Sequence, residues 1–219
     1  MKIDTSHPSP NHGPRVGADI SMIVLHATVG SYASSLSWLT NPKSGVSTHY
    51  LIRKDGYVAQ LVPDDRAAWH AGASKWFDLD STDIQRQSIG VELENRNDGR
   101  DPYPPAQLIA ATLLGRGLVE RYQIVRDMVT RHLDIAIPRG RKTDPAGFPW
   151  TQWRDGLYTA GVPYRAIACA PVFQDRRPDS PLALTISAGQ VEEVDDVTNG
   201  WVHLRSGVGF SPASCWEVV

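Results

Sequence analysis

Ile20-Ser21-Met22-Ile23-Val24-Leu25-His26-Ala27-Thr28 is the stretch on which the fold turns. Its apolar run from Ile20 to Leu25 is almost unbroken, the pattern of a strand covered on both faces rather than wetted on one. The run stops at a polar cluster, so it carries His26 to the end of a buried strand. Upstream, Pro8, Pro10, Gly13 and Pro14 make the first 19 residues read as an extended arm. Downstream, Ser34 to Leu39, closed by Asn41-Pro42, reads as a short helix. The segments from Thr48 to Lys54 and from Tyr57 to Val62 flank Asp55-Gly56, a strong hairpin signal.

Further along, Ser88-Ile89-Gly90-Val91-Glu92-Leu93-Glu94 alternates apolar and polar residues, placing Glu92 and Glu94 on one strand face unless the strand ends before Glu94. The best helical stretch runs from about Pro105 to Tyr122, and Pro104-Pro105 stand where a helix starts. Residues 127–132 read as a short strand or helix end. They lead into Asp134 to Gly147, which has little periodicity and several turn formers and so must be held by something other than regular structure. A last short helix spans Thr151 to Leu157. From Tyr164 onward, short apolar pieces separated by turns read as a small all-β module.

At 219 residues the chain suffices for one ordinary domain and one small module, here 1–163 and 164–219. A formal charge of −2 gives no bulk attraction for nucleic acid or an anionic membrane. No signal-like apolar region and no membrane-length apolar stretch occurs, which predicts a soluble protein made in the cytoplasm without membrane insertion. Cys169 and Cys215 allow one bridge at most, and the sequence does not decide whether it forms.

Two imidazoles and one carboxylate, His26, His132 and Asp144, are the usual makings of a catalytic zinc site, but their spacing alone matches no compact motif. Five blocks strengthen the reading: Ile23-Val24-Leu25-His26-Ala27-Thr28; Val46 to Gly56 around His49 and Tyr50; Ala68-Trp69-His70-Ala71-Gly72; Ser88 to Asn95; and Arg131-His132-Leu133-Asp134 with Arg141-Lys142-Thr143-Asp144-Pro145 after it. In this order, over roughly residues 18 to 158, the chain resembles the zinc-dependent N-acetylmuramoyl-L-alanine amidases. That family takes in phage lysozyme-like amidases, muropeptide-recycling amidases and peptidoglycan-recognition proteins. The resemblance implies an α/β fold with a mixed central β-sheet flanked by helices. It places one zinc ion on His26, His132 and Asp144, and makes Glu92 the proton-transferring carboxylate. Lys142 falls beside the developing oxyanion. His70, Tyr50 and Asn95 are its candidate substrate contacts, with Asn97 a weaker one, Glu94 the competing carboxylate and His49 structural. Departures are Ala27 where many relatives carry a second His, Arg131 in place of Gly, and a loop lengthened by Ile137-Pro138-Arg139-Gly140.

Residues 172–219, with Gly200-Trp201 and Gly207-Val208-Gly209-Phe210 among their landmarks, resemble a bacterial SH3-like barrel. By analogy with similar fusions, that implies cell-wall binding. The whole then reads as an endolysin that cuts peptidoglycan between N-acetylmuramic acid and L-alanine and reaches the wall after release. A cytosolic muropeptide-recycling amidase and a non-catalytic peptidoglycan-binding protein are the alternatives.

Overall fold

The computed structural model describes residues 2–158, 163–166, 170–174, 179–198, 200–204 and 209–218. In chain order the N-terminal strands are β1 (Ile3–Asp4), β2 (His12–Pro14), β3 (Met22–Ala27), β4 (Tyr50–Ile52), β5 (Val58–Gln60), β6 (Arg66–Ala68), β7 (Ser88–Leu93) and β8 (Val129–Arg131). The helices are α1 (Tyr32–Leu39), α2 (Ser81–Gln87), α3 (Pro105–Tyr122), α4 (His132–Ile135) and α5 (Trp150–Gly156). Six strands form a mixed sheet in the order β1-β5-β4-β7-β3-β8. Strand β3 runs parallel to both β7 and β8, while β4 and β5 form the antiparallel hairpin expected around Asp55-Gly56.

All six residues of β3 are buried because the sheet is covered on both sides. Side chains alternate along a strand, so Ile23 and Leu25 join the core beneath α3, whereas Met22 and Val24 pack with Ile84 of α2 and Ile135 of α4. His26 continues the second set. The N-terminal arm is stitched down rather than loose: β1 adds to the sheet edge parallel to β5, and β2 pairs with β6.

Helix α3 starts at Pro105, whose missing N–H costs nothing in the first turn. It buries Ile109, Ala110, Leu114 and Leu118, each large one contributing roughly 1.5–3 kcal/mol of apolar burial. Gly115 allows close packing: a Cβ there would stand 2.8 Å from the Leu157 side chain and 3.2 Å from that of Trp153, which follow and belong to α5.

The C-terminal strands are β9 (Pro163–Ala166), β10 (Ala170–Phe173), β11 (Leu182–Ile186), β12 (Val191–Thr198), β13 (Trp201–Leu204), β14 (Phe210–Pro212) and β15 (Trp216–Val218). They form an antiparallel sheet in the order β11-β10-β14-β13-β12-β9-β15. Its core is not private. Trp216 is fully buried and belongs with Val202, Leu204 and Ala213 to the same apolar cluster as α3. Leu182 and Leu184 are 55% and 37% exposed on β11. Cys169 and the Gly207-Val208 landmark lie outside the described residues, and Cys215 is a free thiol. Among the described residues no helix is long and apolar enough to cross a membrane.

Candidate metal and catalytic site

Parallel strands deliver their C-terminal ends to one edge of a sheet, and open α/β sheets place ligands there. Here β3 and β7 pair with His26 opposite Glu92, and β3 and β8 with Leu25 opposite Arg131, so His132 emerges beside His26. Asp144 arrives on the irregular loop. Its backbone carbonyl accepts from Leu133 N at 3.1 Å. Asn97, in the left-handed region at φ 56° that Asn tolerates, braces the loop: its Nδ2 donates to Thr143 Oγ1 and its Oδ1 accepts from Ala146 N. Arg141 ties the preceding turn by donating to the carbonyls of Ile137 and Ala73.

The outcome is a buried convergence of three ligand atoms. His26 Nδ1 and His132 Nδ1 are 2.9 Å apart, Asp144 Oδ2 is 3.0 Å from His132 Nδ1 and 3.5 Å from His26 Nδ1. Tetrahedral zinc with bonds near 2.0–2.1 Å requires ligand atoms about 3.3 Å apart, so this set fits the ion with little adjustment. His132 Nε2 lies 3.2 Å from the Ala71 carbonyl, which can only accept. With the ring proton on Nε2, donated to Ala71, Nδ1 offers its lone pair to an ion. Burial, then the neighbouring His132, push His26 down to about 4, which keeps it neutral and able to ligate. Burial raises the Asp144 carboxyl, but its close contacts with the His132 and His26 rings outweigh it and hold the group well below the usual carboxylate range.

Glu92 and Lys142 complete the site. Burial, reinforced by Asp144 and opposed by Lys142, pushes the Glu92 carboxyl up to about 8, and its Oε2 is buried without a hydrogen-bond partner. Lys142 has no ion-pair partner among the described residues. Both line a cleft of about 430 Å³ with His132 and Asp144. A neighbouring hollow of about 470 Å³ shares His132 and Lys142 with it and adds Gln85 and Arg141. The cleft has a polar floor and an apolar rim, where Trp38, Val46 and Trp69 are exposed, a setting suited to an amphipathic ligand.

Two sequence assignments, Tyr50 and Asn95, fall elsewhere. Tyr50 is 2% exposed and fills the core, its hydroxyl donating to Asp64 at 2.7 Å, so it does not line the cleft. Asn95 is fully buried and shapes the following turn, donating to the Asp101 carbonyl and accepting from Asn97 N. Glu94 leaves the strand, which ends at Leu93, and accepts from the backbone N–H groups of Tyr32 and Lys54. His70 does reach the cleft floor, but both its ring nitrogens are engaged within the protein, Nδ1 with His26 and Nε2 with Ser88. His49 is structural: its Nδ1 accepts from Gly90 N and its Nε2 contacts the Arg66 carbonyl. The rim residues Trp38 and Val46 and the brace Asn97 carry no local signal for these roles. Ser88 and Gly90 do, since they share a strand face with Glu92 by simple alternation.

The N-acetylmuramoyl-L-alanine amidase family model matches residues 16–147, which span all five site residues. AmiD, an N-acetylmuramoyl-L-alanine amidase of Escherichia coli, is 38% identical over 166 residues, covering 69% of this chain and 56% of AmiD. The 1,6-anhydro-N-acetylmuramyl-L-alanine amidase AmpD of E. coli is 40% identical over 112 residues, covering 50% of this chain and 57% of AmpD. The chain thus spans somewhat over half the length of these relatives. The solved complex of E. coli AmiD with anhydro-N-acetylmuramic acid-L-Ala-D-γ-Glu-L-Lys superposes with a TM-score of 0.58 at 34% identity, covering 72% of this chain and 63% of that one. With the family model matched over more than half its length, the chain belongs to the N-acetylmuramoyl-L-alanine amidase family.

Proposed function

We propose that this protein is a zinc-dependent amidase that hydrolyses the amide between the lactyl group of N-acetylmuramic acid and L-alanine. Its substrates on this reading are soluble muropeptides, as in cell-wall recycling. The observation that carries the reading is the convergence of His26, His132 and Asp144 within 3.5 Å of one another beside a buried, unpartnered Glu92 oxygen. The similarity to AmiD and AmpD, and to a structure holding an anhydromuropeptide, favours recycling over the lysis reading suggested by the sequence.

His26, His132 and Asp144 would hold the ion, which when bound supplies positive charge to polarise the scissile carbonyl and acidify water. Glu92 takes the proton from the attacking water at Oε2 and delivers it to the departing nitrogen. Lys142 offsets the negative charge that grows on the carbonyl oxygen. Such a set argues against a purely binding role, for which a buried carboxylate and a free cation bring only desolvation cost.

On this reading residues 164–219 form an SH3-like module that shapes or tethers substrate, because a weak binding site linked to a catalyst raises its local concentration. The test incubates the zinc-loaded full chain with anhydro-N-acetylmuramyl tetrapeptide and, separately, with intact wall sacculi, following new amino termini by chromatography and mass spectrometry. Release of peptide beginning with L-alanine, faster from the soluble fragment and abolished by chelator, supports the proposal. Faster cleavage of sacculi would restore the lysis reading, and cleavage of neither would remove the enzymatic one.

A further inference from the structure

His70 lies over Gly90, where a Cβ would stand 2.5 Å from its ring, so only glycine at that strand position admits the imidazole. The ring meets His26 edge to face, with centroids 5.1 Å apart. Beneath it, the Ser88 hydroxyl has two neighbours: the Ile84 carbonyl and His70 Nε2, the latter at 3.0 Å. A hydroxyl owns one proton and a carbonyl can only accept. Ser88 therefore donates to Ile84 and accepts from His70 Nε2–H. A neutral imidazole has a single N–H, which leaves His70 Nδ1 bare to accept from His26 Nε2–H at 3.0 Å. His26 Nδ1 is bare in turn and faces His132 Nδ1 and Asp144 Oδ2.

We infer that Ser88 and His70 are positioning residues of the metal site: a directed hydrogen-bond relay from the Ile84 carbonyl fixes His26 in the tautomer that presents Nδ1 as a ligand. The consequence for metal affinity rests on the zinc-dependent reading above; the tautomer itself does not. With His132 set by Ala71, two imidazole lone pairs and a carboxylate oxygen converge on one point, an arrangement that a cation relieves. The opposite His26 tautomer would aim an N–H at that point and oppose the ion. Groups that orient a ligating histidine typically account for 10–100-fold in metal affinity.

The experiment uses the full chain and measures zinc dissociation constants by competition with a chelating indicator. In His70→Asn the amide oxygen replaces Nδ1 as acceptor and no longer depends on Ser88, so zinc binding stays within about threefold of the unaltered protein. His70→Leu keeps the bulk but loses the acceptor, and Ser88→Ala frees His70 to take either tautomer; each weakens zinc by about 10–100-fold. Adding Ser88→Ala to His70→Asn has no further effect. In the metal-free protein, ¹⁵N spectra show the His26 proton on Nε2. Unchanged zinc affinity in both His70→Leu and Ser88→Ala, or equal losses in His70→Asn and His70→Leu, would overturn the inference. If His70→Leu fails to fold, Ser88→Ala alone decides the affinity arm. Should the unaltered protein bind no zinc, the metal-dependent function falls, while the ¹⁵N spectrum still decides the relay: a proton on His26 Nδ1 refutes it.

Discussion

Replacing Glu92 by Gln separates catalysis from folding in one substitution. Glu92 sits on β7 opposite His26 with Oε2 buried and unpartnered. In the metal-free protein its carboxyl, ordinarily near 4.5, is pushed up to about 8, first by burial and then by Asp144. The unfolded chain releases this proton at the lower value and the folded chain holds it until the higher one. The Glu92 contribution to stability is therefore greatest below pH 4.5, falls as the pH rises through the interval, and reaches its full deficit above about 8. The whole shift corresponds to a ceiling of ~5 kcal/mol, and water entering through the cleft reduces the realised cost to about 2–4 kcal/mol. Glutamine does not titrate, so Glu92→Gln should match the unaltered metal-free protein near pH 4 and exceed it by that amount at pH 9, measured by urea melts in chelator. With zinc added, the same variant should bind the ion while muropeptide turnover falls by about 10²–10⁴-fold, the usual contribution of a general acid–base group. A stability difference independent of pH would refute the burial argument. Retained turnover would refute the assignment of Glu92 as proton carrier.

Lys142→Met should leave zinc affinity nearly unchanged and lower kcat by about 10²–10³-fold, as expected for removing charge from a developing oxyanion; steady-state kinetics at saturating muropeptide provide the check. Asp144→Ala removes the only anionic ligand of the set, so added zinc should no longer raise the melting temperature, whereas in the unaltered protein zinc at 100 times its Kd should add about 2.7 kcal/mol. Tyr50→Phe strips Asp64 of a buried hydroxyl donor and should destabilise the fold by about 1–3 kcal/mol in urea melts, with KM for muropeptide unchanged because Tyr50 lies in the core.

Where chemistry is written into local pattern, the sequence was enough. The unbroken apolar run of β3, the Asp55-Gly56 hairpin and the proline-started α3 were legible because each depends on neighbours a few positions away. The mixed sheet and its flanking helices followed from blocks matched in family order. The same blocks brought His26, Glu92, His132, Lys142 and Asp144 to notice, and the structure gathers them at one sheet edge. Tyr50 and Asn95 misled because a motif shows that a residue type is wanted without showing which side of the chain it faces. Tyr50 turns its hydroxyl to Asp64, and Asn95 spends its amide on the turn at Asp101.

Only the tertiary structure decided that Ser88, His70 and His26 form one directed chain, that Asn97 braces the loop carrying Asp144, and that Trp216 of the last strand shares a core with α3. The physical reason is sequence separation. His26 and His132 stand 106 residues apart, and nothing in either neighbourhood encodes the 2.9 Å between their nitrogens. Hydrophobic alternation specifies which face a side chain takes, whereas the register of parallel strands joined by long crossovers specifies which side chain stands beside it.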